Sequence, residues 1–257
     1  MNVQPTDKRR TALITGAGSG IGAATARRMA AEGYRVFLTG RRVDRIESVA
    51  RQIIADGGLA EARFIDVTDE RSVAAVVDDL DRCDVLVNNA GGAIGTESVA
   101  DANSADWRTM YETNVLGTLH VTRELLPKLA ASGDGTVVVV SSTAAFTVYE
   151  GGGGYSAAKH GEHVLAATLR LELCGEPIRV IEIAPGMVHT EEFSLNRYRG
   201  DREKAAAVYA GVEGPLVADD IADAIAWAVT RPSNVNIDFL VIKPRAQAAQ
   251  HKVYRRG

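Results

Sequence analysis

The run Thr15-Gly16-Ala17-Gly18-Ser19-Gly20-Ile21-Gly22 restricts the fold more than any other stretch of this chain. It follows the apolar segment 11–15 and opens an amphipathic segment over 20–32, so a strand passes into a helix across a glycine-rich turn. Glycines at such a turn let the backbone bend tightly and approach a pyrophosphate, whose charge then meets the helix N-terminus. The spacing is T-G-x-x-x-G-x-G rather than G-x-G-x-x-G, yet the strand–turn–helix context is the one a dinucleotide site needs. The same glycines could also serve a plain strand-to-helix turn.

Beyond that turn, short apolar runs alternate with amphipathic stretches, the pattern of a parallel sheet covered by helices on both faces. Strands are expected at 11–15, 35–39, 62–66, 84–88, 136–141, 178–184 and 236–242. Helices are expected near 20–32, 43–56, 69–82, 104–131, 155–174, 201–210 and 218–230. No linker, repeat or low-complexity segment divides the chain, so residues 1–257 read as a single α/β domain. The architecture implied is a Rossmann-type doubly wound parallel sheet of about seven strands. A chain of 257 residues can bury about three quarters of its unfolded surface in one such domain. The one long gap, 185–217, is rich in Glu, Arg and Gly and reads as a loop with a short helix; loops that long are commonly lids.

The chemistry-bearing stretch runs from Ser141 to Lys159. A strand of valines ends at Ser141-Ser142, four glycines follow at 151–154, and a helix then carries Tyr155 and Lys159 one turn apart. A lysine ammonium near a phenol favours the phenolate, drawing the tyrosine toward the range where it serves as general acid or base. Of the seven tyrosines only Tyr155 has a lysine four residues on, although a solvated pair on a helix face has the same spacing. The Ser142 hydroxyl, at a strand end, could donate to a substrate oxygen. Asp66, Asn88-Asn89-Ala90-Gly91 and Pro185-Gly186 also close strands, on the edge where open α/β sheets bind ligands. Asp66 could equally cap the next helix, and Asn88-Asn89 could be an ordinary turn. Asn114 interrupts an amphipathic helix, and a bend or a buried role would explain a poor helix former there.

Charge and composition narrow the partners. The net charge is −4, with no basic block beyond Lys8-Arg9-Arg10, which gives no reason to expect nucleic acid or an anionic membrane. Cys83 and Cys174 form no C-x-x-C pattern and read as reduced thiols of a cytoplasmic protein. No apolar run approaches the ~18 residues of a membrane span. His160 and His163 flank Gly161-Glu162, an order unlike the zinc H-E-x-x-H, so no metal site is expected and both read as surface or interface residues. Trp107 and Trp227 read as core, and Arg245, Lys252, Arg255 and Arg256 as a solvated or subunit-contacting tail.

Taken together, Thr15–Gly22, Asn88–Gly91, Asn114, Ser142, Tyr155, Lys159 and Pro185-Gly186 resemble, in order and spacing, the short-chain dehydrogenase/reductase family across about residues 10–245. Within it the chain looks most similar to the NADP-dependent 3-hydroxy acid (serine-type) dehydrogenases, through Thr39–Arg42, the stretch from Glu192 to Asp201, and Asn234–Ile237. The resemblance implies an oxidoreductase moving hydride reversibly between NADP(H) and a hydroxyl/carbonyl substrate such as a small 3-hydroxy acid. It implies catalytic roles for Asn114, Ser142, Tyr155 and Lys159. It places Gly16, Gly18, Ser19, Gly20, Ile21, Gly22, Asp66, Val67, Asn88, Ala90, Gly91, Pro185, Gly186, Val188 and Thr190 around the cofactor. Arg197 is the candidate for a substrate carboxylate, and assembly into a homotetramer or homodimer is implied too. A ketoreductase for a bulky or carrier-bound carbonyl is the alternative enzyme, and a non-catalytic NADP-sensing protein is the alternative from another class. The four-glycine run departs from the family pattern and leaves the substrate wall short of side chains.

The second strand bears on the choice of cofactor. An NAD site usually has an acid at the end of that strand for the ribose 2′-hydroxyl. Here Gly40 falls in its place, followed by Arg41 and Arg42. Without a carboxylate to repel it, a 2′-phosphate could be gripped by either guanidinium, Arg41 foremost, so NADP is the expected cofactor. The competing reading leaves both arginines solvated beside Asp44 and Glu47.

Overall fold

The computed structural model describes residues 9–256, so Lys8 of the basic N-terminal triplet and both chain ends lie outside the described residues. Strand β1 (Thr11–Thr15) is buried along its whole length, as expected of a strand covered on both faces. It leads into helix α1 (Gly20–Ala31), then β2 (Arg35–Gly40), α2 (Val43–Ala55), β3 (Leu59–Phe64), α3 (Glu70–Asp78) and β4 (Val85–Asn88). Next come α4 (Ser104–Tyr111), a π-helical turn (Glu112–Leu116), α5 (Gly117–Ala131), β5 (Gly135–Val140), α6 (Gly153–Glu172) and β6 (Ile178–Pro185). The last part holds β7 (Val188–His189), α7 (Phe193–Arg197), α8 (Arg202–Ala207), β8 (Leu216–Val217), α9 (Ala218–Val229), β9 (Phe239–Ile242), β10 (Gln247–Ala249) and β11 (Lys252–Val253).

Seven strands form one parallel sheet in the order β3-β2-β1-β4-β5-β6-β9. Alternation along each strand separates two cores. Ala12, Ile14, Val36, Leu38, Val138, Ile181 and Ile183 pack against α1, α2 and α9. Leu13, Phe37, Leu86, Val137, Val139 and Val180 pack against α3, α5 and α6. Each fully buried Leu or Ile contributes roughly 1.5–3 kcal/mol relative to exposure. Strand order reverses between β1 and β4, and at such a switch point the loops leaving the two carboxyl ends diverge and open a crevice.

Several boundaries differ from the sequence expectation. The third strand is 59–64 rather than 62–66, because this edge strand pairs from Leu59 with Arg35 and shows its polar residues Glu61 and Arg63 to the surface, which breaks the apolar signal. The last strand starts at Phe239, three residues late, since Asn236 instead caps the neighbouring edge with hydrogen bonds to both backbone groups of Val180. The stretch 69–82 is helical only to Asp78, with Asp69 as its N-cap. The long helix at 104–131 is broken by the π turn that contains Asn114. The stretch 185–217 holds two short helices and a two-stranded ladder of β7 with β8. Trp227, read as core, is 45% exposed under the Arg231 guanidinium.

Candidate active site

The switch point is fastened by side chains from both of its strands. Thr15 Oγ1 accepts from the Asn89 and Ala90 amides at 3.0 and 2.9 Å. Asn89 Nδ2 donates back to Thr15 O and Gly16 O at 2.9 and 3.2 Å. Gly16 has φ 64°, in the left-handed region, and any Cβ at Gly22 would strike the Gly16 carbonyl oxygen. The loop therefore lies flat over the sheet edge and opens into a cleft of about 1270 Å³. That is above the usual range of roughly 300–1,000 Å³ for a single small-molecule pocket.

At one end of the cleft the Arg42 guanidinium grips Glu192 with both terminal nitrogens, each 2.6 Å from a different carboxylate oxygen. Ser19 Oγ donates to Glu192 Oε2 at 2.7 Å. The hydrogen bond from Arg42, against the opposing effect of burial, takes the Glu192 carboxyl down to about 2. Helix α7 and the loop before it are thereby strapped to the glycine turn. Asp66, two residues beyond the end of β3, neither caps a helix nor ends a strand. Its Oδ1 accepts from the amide and hydroxyl of Thr68 at 3.0 and 2.7 Å. Burial raises the Asp66 carboxyl, but those hydrogen bonds outweigh it and leave the group below its ordinary range.

At the other end, the first turns of α6 bring Tyr155 and Lys159 inside, at 8% and 3% exposure. Lys159 Nζ donates to Val140 O at 3.1 Å and to Glu162 Oε2 at 2.6 Å. Burial alone would lower the Lys159 ammonium, but Glu162 and Tyr155 together hold it above its ordinary value. For Tyr155 the sequence expectation is reversed: burial raises the phenol, and the opposing Lys159 charge and Ser142 hydrogen bond do not overcome it. Asn114 is fully buried and its amide holds the loop after β4. Nδ2 donates to Gly92 O and Met110 O at 3.1 and 2.7 Å, and Oδ1 accepts from the Gly92 amide at 3.2 Å. A Cβ at Gly91 would meet Asn114 Oδ1 and come within 3.7 Å of Lys159 Nζ, so the three positions touch one small space.

The wall expected to lack side chains is filled. Cβ atoms at Gly152 and Gly154 would strike the Tyr149 ring and the Met110 methyl, so the glycines let these groups press against the backbone. Arg197 Nη1 donates to Tyr149 Oη at 2.8 Å and Nη2 to Gly151 O at 3.2 Å. Its guanidinium stands 5.9 Å from the centre of the Tyr155 ring, and its buried Nε has no partner among the described residues. The Phe193 ring packs edge-on to Tyr155 at 5.7 Å.

Of the residues singled out from sequence, Gly16, Gly18, Ser19, Gly20, Ile21, Arg41, Arg42, Asp66, Val67, Ala90, Gly91, Asn114, Ser142, Tyr155, Lys159, Pro185, Gly186, Val188, Thr190 and Arg197 all line the cleft. Two do not. Asn88 turns into the core, donating to Thr122 Oγ1 at 2.9 Å, because the side-chain alternation of β4 gives the cleft to Asn89 instead. Gly22 lies beneath the loop and serves its packing. The four basic residues of the tail are exposed, as expected of a solvated segment, but Arg255 also lines the cleft and donates to Val208 O at 3.0 Å, and Arg256 pairs with Glu213 at 2.8 Å. Glu162 and Tyr149 are the residues sequence reading missed, and the hydrogen bonds of Asn89 and Glu192 were not foreseen. Only Glu162, a charge on the inward side of a helix three residues from Lys159, left a signal that periodicity could have found. No group of three or more His, Cys, Asp or Glu suited to a metal ion occurs among the described residues.

The profile of the short chain dehydrogenase family matches residues 10–198. An uncharacterised oxidoreductase of Mycobacterium tuberculosis is 57% identical over 242 residues, 94% of each chain. The serine 3-dehydrogenase of Agrobacterium fabrum is 42% identical over 250 residues, covering 95% of this chain and 98% of that one. Among solved structures, a closed form of serine dehydrogenase complexed with NADP+ superposes with a TM-score of 0.89 at 33% identity, over 96% of this chain and 100% of that one.

Proposed function

The chain belongs to the short-chain dehydrogenase family, and on that premise we propose that this NADP-dependent oxidoreductase acts on a small 3-hydroxy acid, or a closely related secondary alcohol, in the cytoplasm. The cleft fits such a cofactor on its own terms. The flat glycine turn 16–22 leaves backbone amides for a pyrophosphate, and Ser19 with Arg42 already holds an anion, the Glu192 carboxylate, where a 2′-phosphate would be gripped. Asp66 and Val67 would flank the adenine, Ala90 and Gly91 the adjoining ribose, and Pro185, Gly186, Val188 and Thr190 the carboxamide end. The bound nicotinamide supplies or accepts the hydride.

The protein's own groups handle the proton. Tyr155 takes the hydroxyl proton in oxidation and returns it in reduction. Lys159 stabilises the phenolate and orients the ribose, and Ser142 donates to the oxygen on which charge develops. Asn114 holds the loop at Gly92 and, with Gly91 and Lys159, frames a space for a water that would connect the ammonium to solvent.

The single observation that carries the substrate class is Arg197, whose guanidinium stands 5.9 Å from the centre of the Tyr155 ring in the wall of the cleft. A carboxylate one carbon removed from the reacting carbinol would be drawn by that charge. Phe193, Tyr149 and Arg197 close around Tyr155, which favours a small substrate over a bulky or carrier-bound one. The test is a panel of hydroxy acids, hydroxy amino acids and neutral alcohols assayed for kcat/KM with NADP+. Arg197→Met should raise KM for the acids and spare the neutral alcohols. Equal effects on both classes would remove Arg197 from substrate binding.

A further inference from the structure

The charges behind Lys159 have no part in the roles assigned so far. Glu162, on the next turn of α6, is 1% exposed, with Oε2 2.6 Å from Lys159 Nζ and Oε1 accepting from Thr118 Oγ1 of α5 at 3.2 Å. β6 contributes Glu182, also 1% exposed, whose Oε1 accepts from Ser141 Oγ at 2.6 Å and whose Oε2 lies 2.7 Å from His163 Nδ1. Both carboxylates act on Lys159, and Glu162 also acts on Tyr155. Among the described residues, Tyr149 also acts on Tyr155, and the Arg197 guanidinium stands 5.9 Å from the centre of its ring. For packing alone, an apolar residue of the same volume would serve this interior position at least as well as a carboxylate. A charge at that place acts on charge.

We propose that Glu162 is a positioning residue for the hydride-transfer reaction and acts through Lys159: it clamps the ammonium against the Val140 carbonyl and opposes that ammonium's pull on the Tyr155 proton. The proposal rests on Tyr155 being the acid–base group. While Glu162 is ionised, the Tyr155–Lys159 pair keeps its first proton to higher pH. With the charge removed and the shape kept, the pair releases that proton at lower pH, whichever partner loses it.

The test is the pH dependence of kcat/KM for alcohol oxidation at saturating NADP+. It uses the alcohol that wild type oxidises fastest, acid or neutral, so a failure of the carboxylate reading leaves the measurement intact. In Glu162→Gln the acid limb is expected about one pH unit below that of wild type, and Glu162→Asp should bring it back. A merely structural role would lower the rate at every pH and leave the limb where it was. An unmoved limb in Glu162→Gln overturns the proposal. If thermal melting shows that Glu162→Gln does not fold, Thr118→Val takes its place. It removes the hydrogen bond that favours the ionised carboxylate, so a smaller shift in the same direction is expected, and an unmoved limb overturns the idea equally. Tyr155→Phe separates the two levels: if that variant keeps the wild-type rate and limb, it is the acid–base assignment that fails.

Discussion

At the scale of single residues, the balance around Tyr155 fixes the direction in which pH acts. Burial holds the phenol above its ordinary value against Lys159, so the proton-accepting form is scarce at neutral pH. Oxidation needs that form and should quicken as pH rises, whereas reduction, which needs the phenol, should hold its rate through neutrality; initial rates in both directions across pH check this. Tyr155→Phe should cost at least about 10²-fold in kcat, the scale of a general acid/base. The ring still packs on Phe193, so cofactor affinity should stay within a few fold. A variant retaining more than roughly a tenth of the rate would take Tyr155 out of the mechanism. Beside the glycine turn, Arg42 is committed to Glu192 and Arg41 lines the cleft. A charged hydrogen bond is worth about 1.5–3 kcal/mol, so Arg41→Ala should weaken NADPH binding at least about tenfold and leave NADH nearly unchanged. Fluorescence titration of both cofactors reads the difference.

At the scale of elements, the strap from α7 to the glycine turn is the decisive contact. On the cofactor placement proposed above, Glu192 occupies the donors that a 2′-phosphate would use, and one anion would have to yield to the other. Glu192→Gln removes the resident charge and is expected to tighten NADPH binding by about threefold to tenfold without changing NADH binding. Weaker NADPH binding in the variant would mean that the strap helps to hold the cofactor. The same carboxylate leaves a mark on stability. Its folded value of about 2 lies below the ordinary 4.5, so its contribution is present above 4.5 and fades as pH falls toward 2. Because the Arg42 side chain is 51% exposed, the contribution is discounted to about 1 kcal/mol or less. The difference in melting temperature between wild type and Glu192→Gln should shrink across that window.

At the scale of the molecule, α5 and α6 lie on one face of the sheet, and their outer sides still show Leu119, Val164 and Leu171 at 40, 60 and 79% exposure. Apolar residues on neighbouring helices suit a face shared between two copies across a twofold axis. We expect a homotetramer, or at least a homodimer, through this face. Light scattering at micromolar concentration checks it, and a monomer there would end the idea. Val164→Glu with Leu171→Glu should halve or quarter the mass while leaving the melting transition of the fold in place, since neither side chain belongs to the core.

The sequence by itself determined the sheet, its covering helices and the set Asn114, Ser142, Tyr155 and Lys159 that the fold brings to one cleft. Short apolar runs, glycine spacing and a tyrosine one helical turn from a lysine are local properties, and local properties are written in neighbouring residues. It also placed Asn114 at an irregularity, which the fold realises as a π turn. What only the tertiary structure decided were the contacts between residues far apart in the chain. Glu192 meets Arg42 and Ser19 across separations of 150 and 173 residues. Tyr149 receives Arg197 from 48 residues away, and Asn89 rather than Asn88 faces the cleft because of how β4 is registered in the sheet. The proton affinity of Tyr155 belongs to the same group. Spacing showed the lysine that lowers it, but the desolvation that outweighs the lysine comes from Phe193, Met110 and the rest of the surrounding cluster, which no single segment contains.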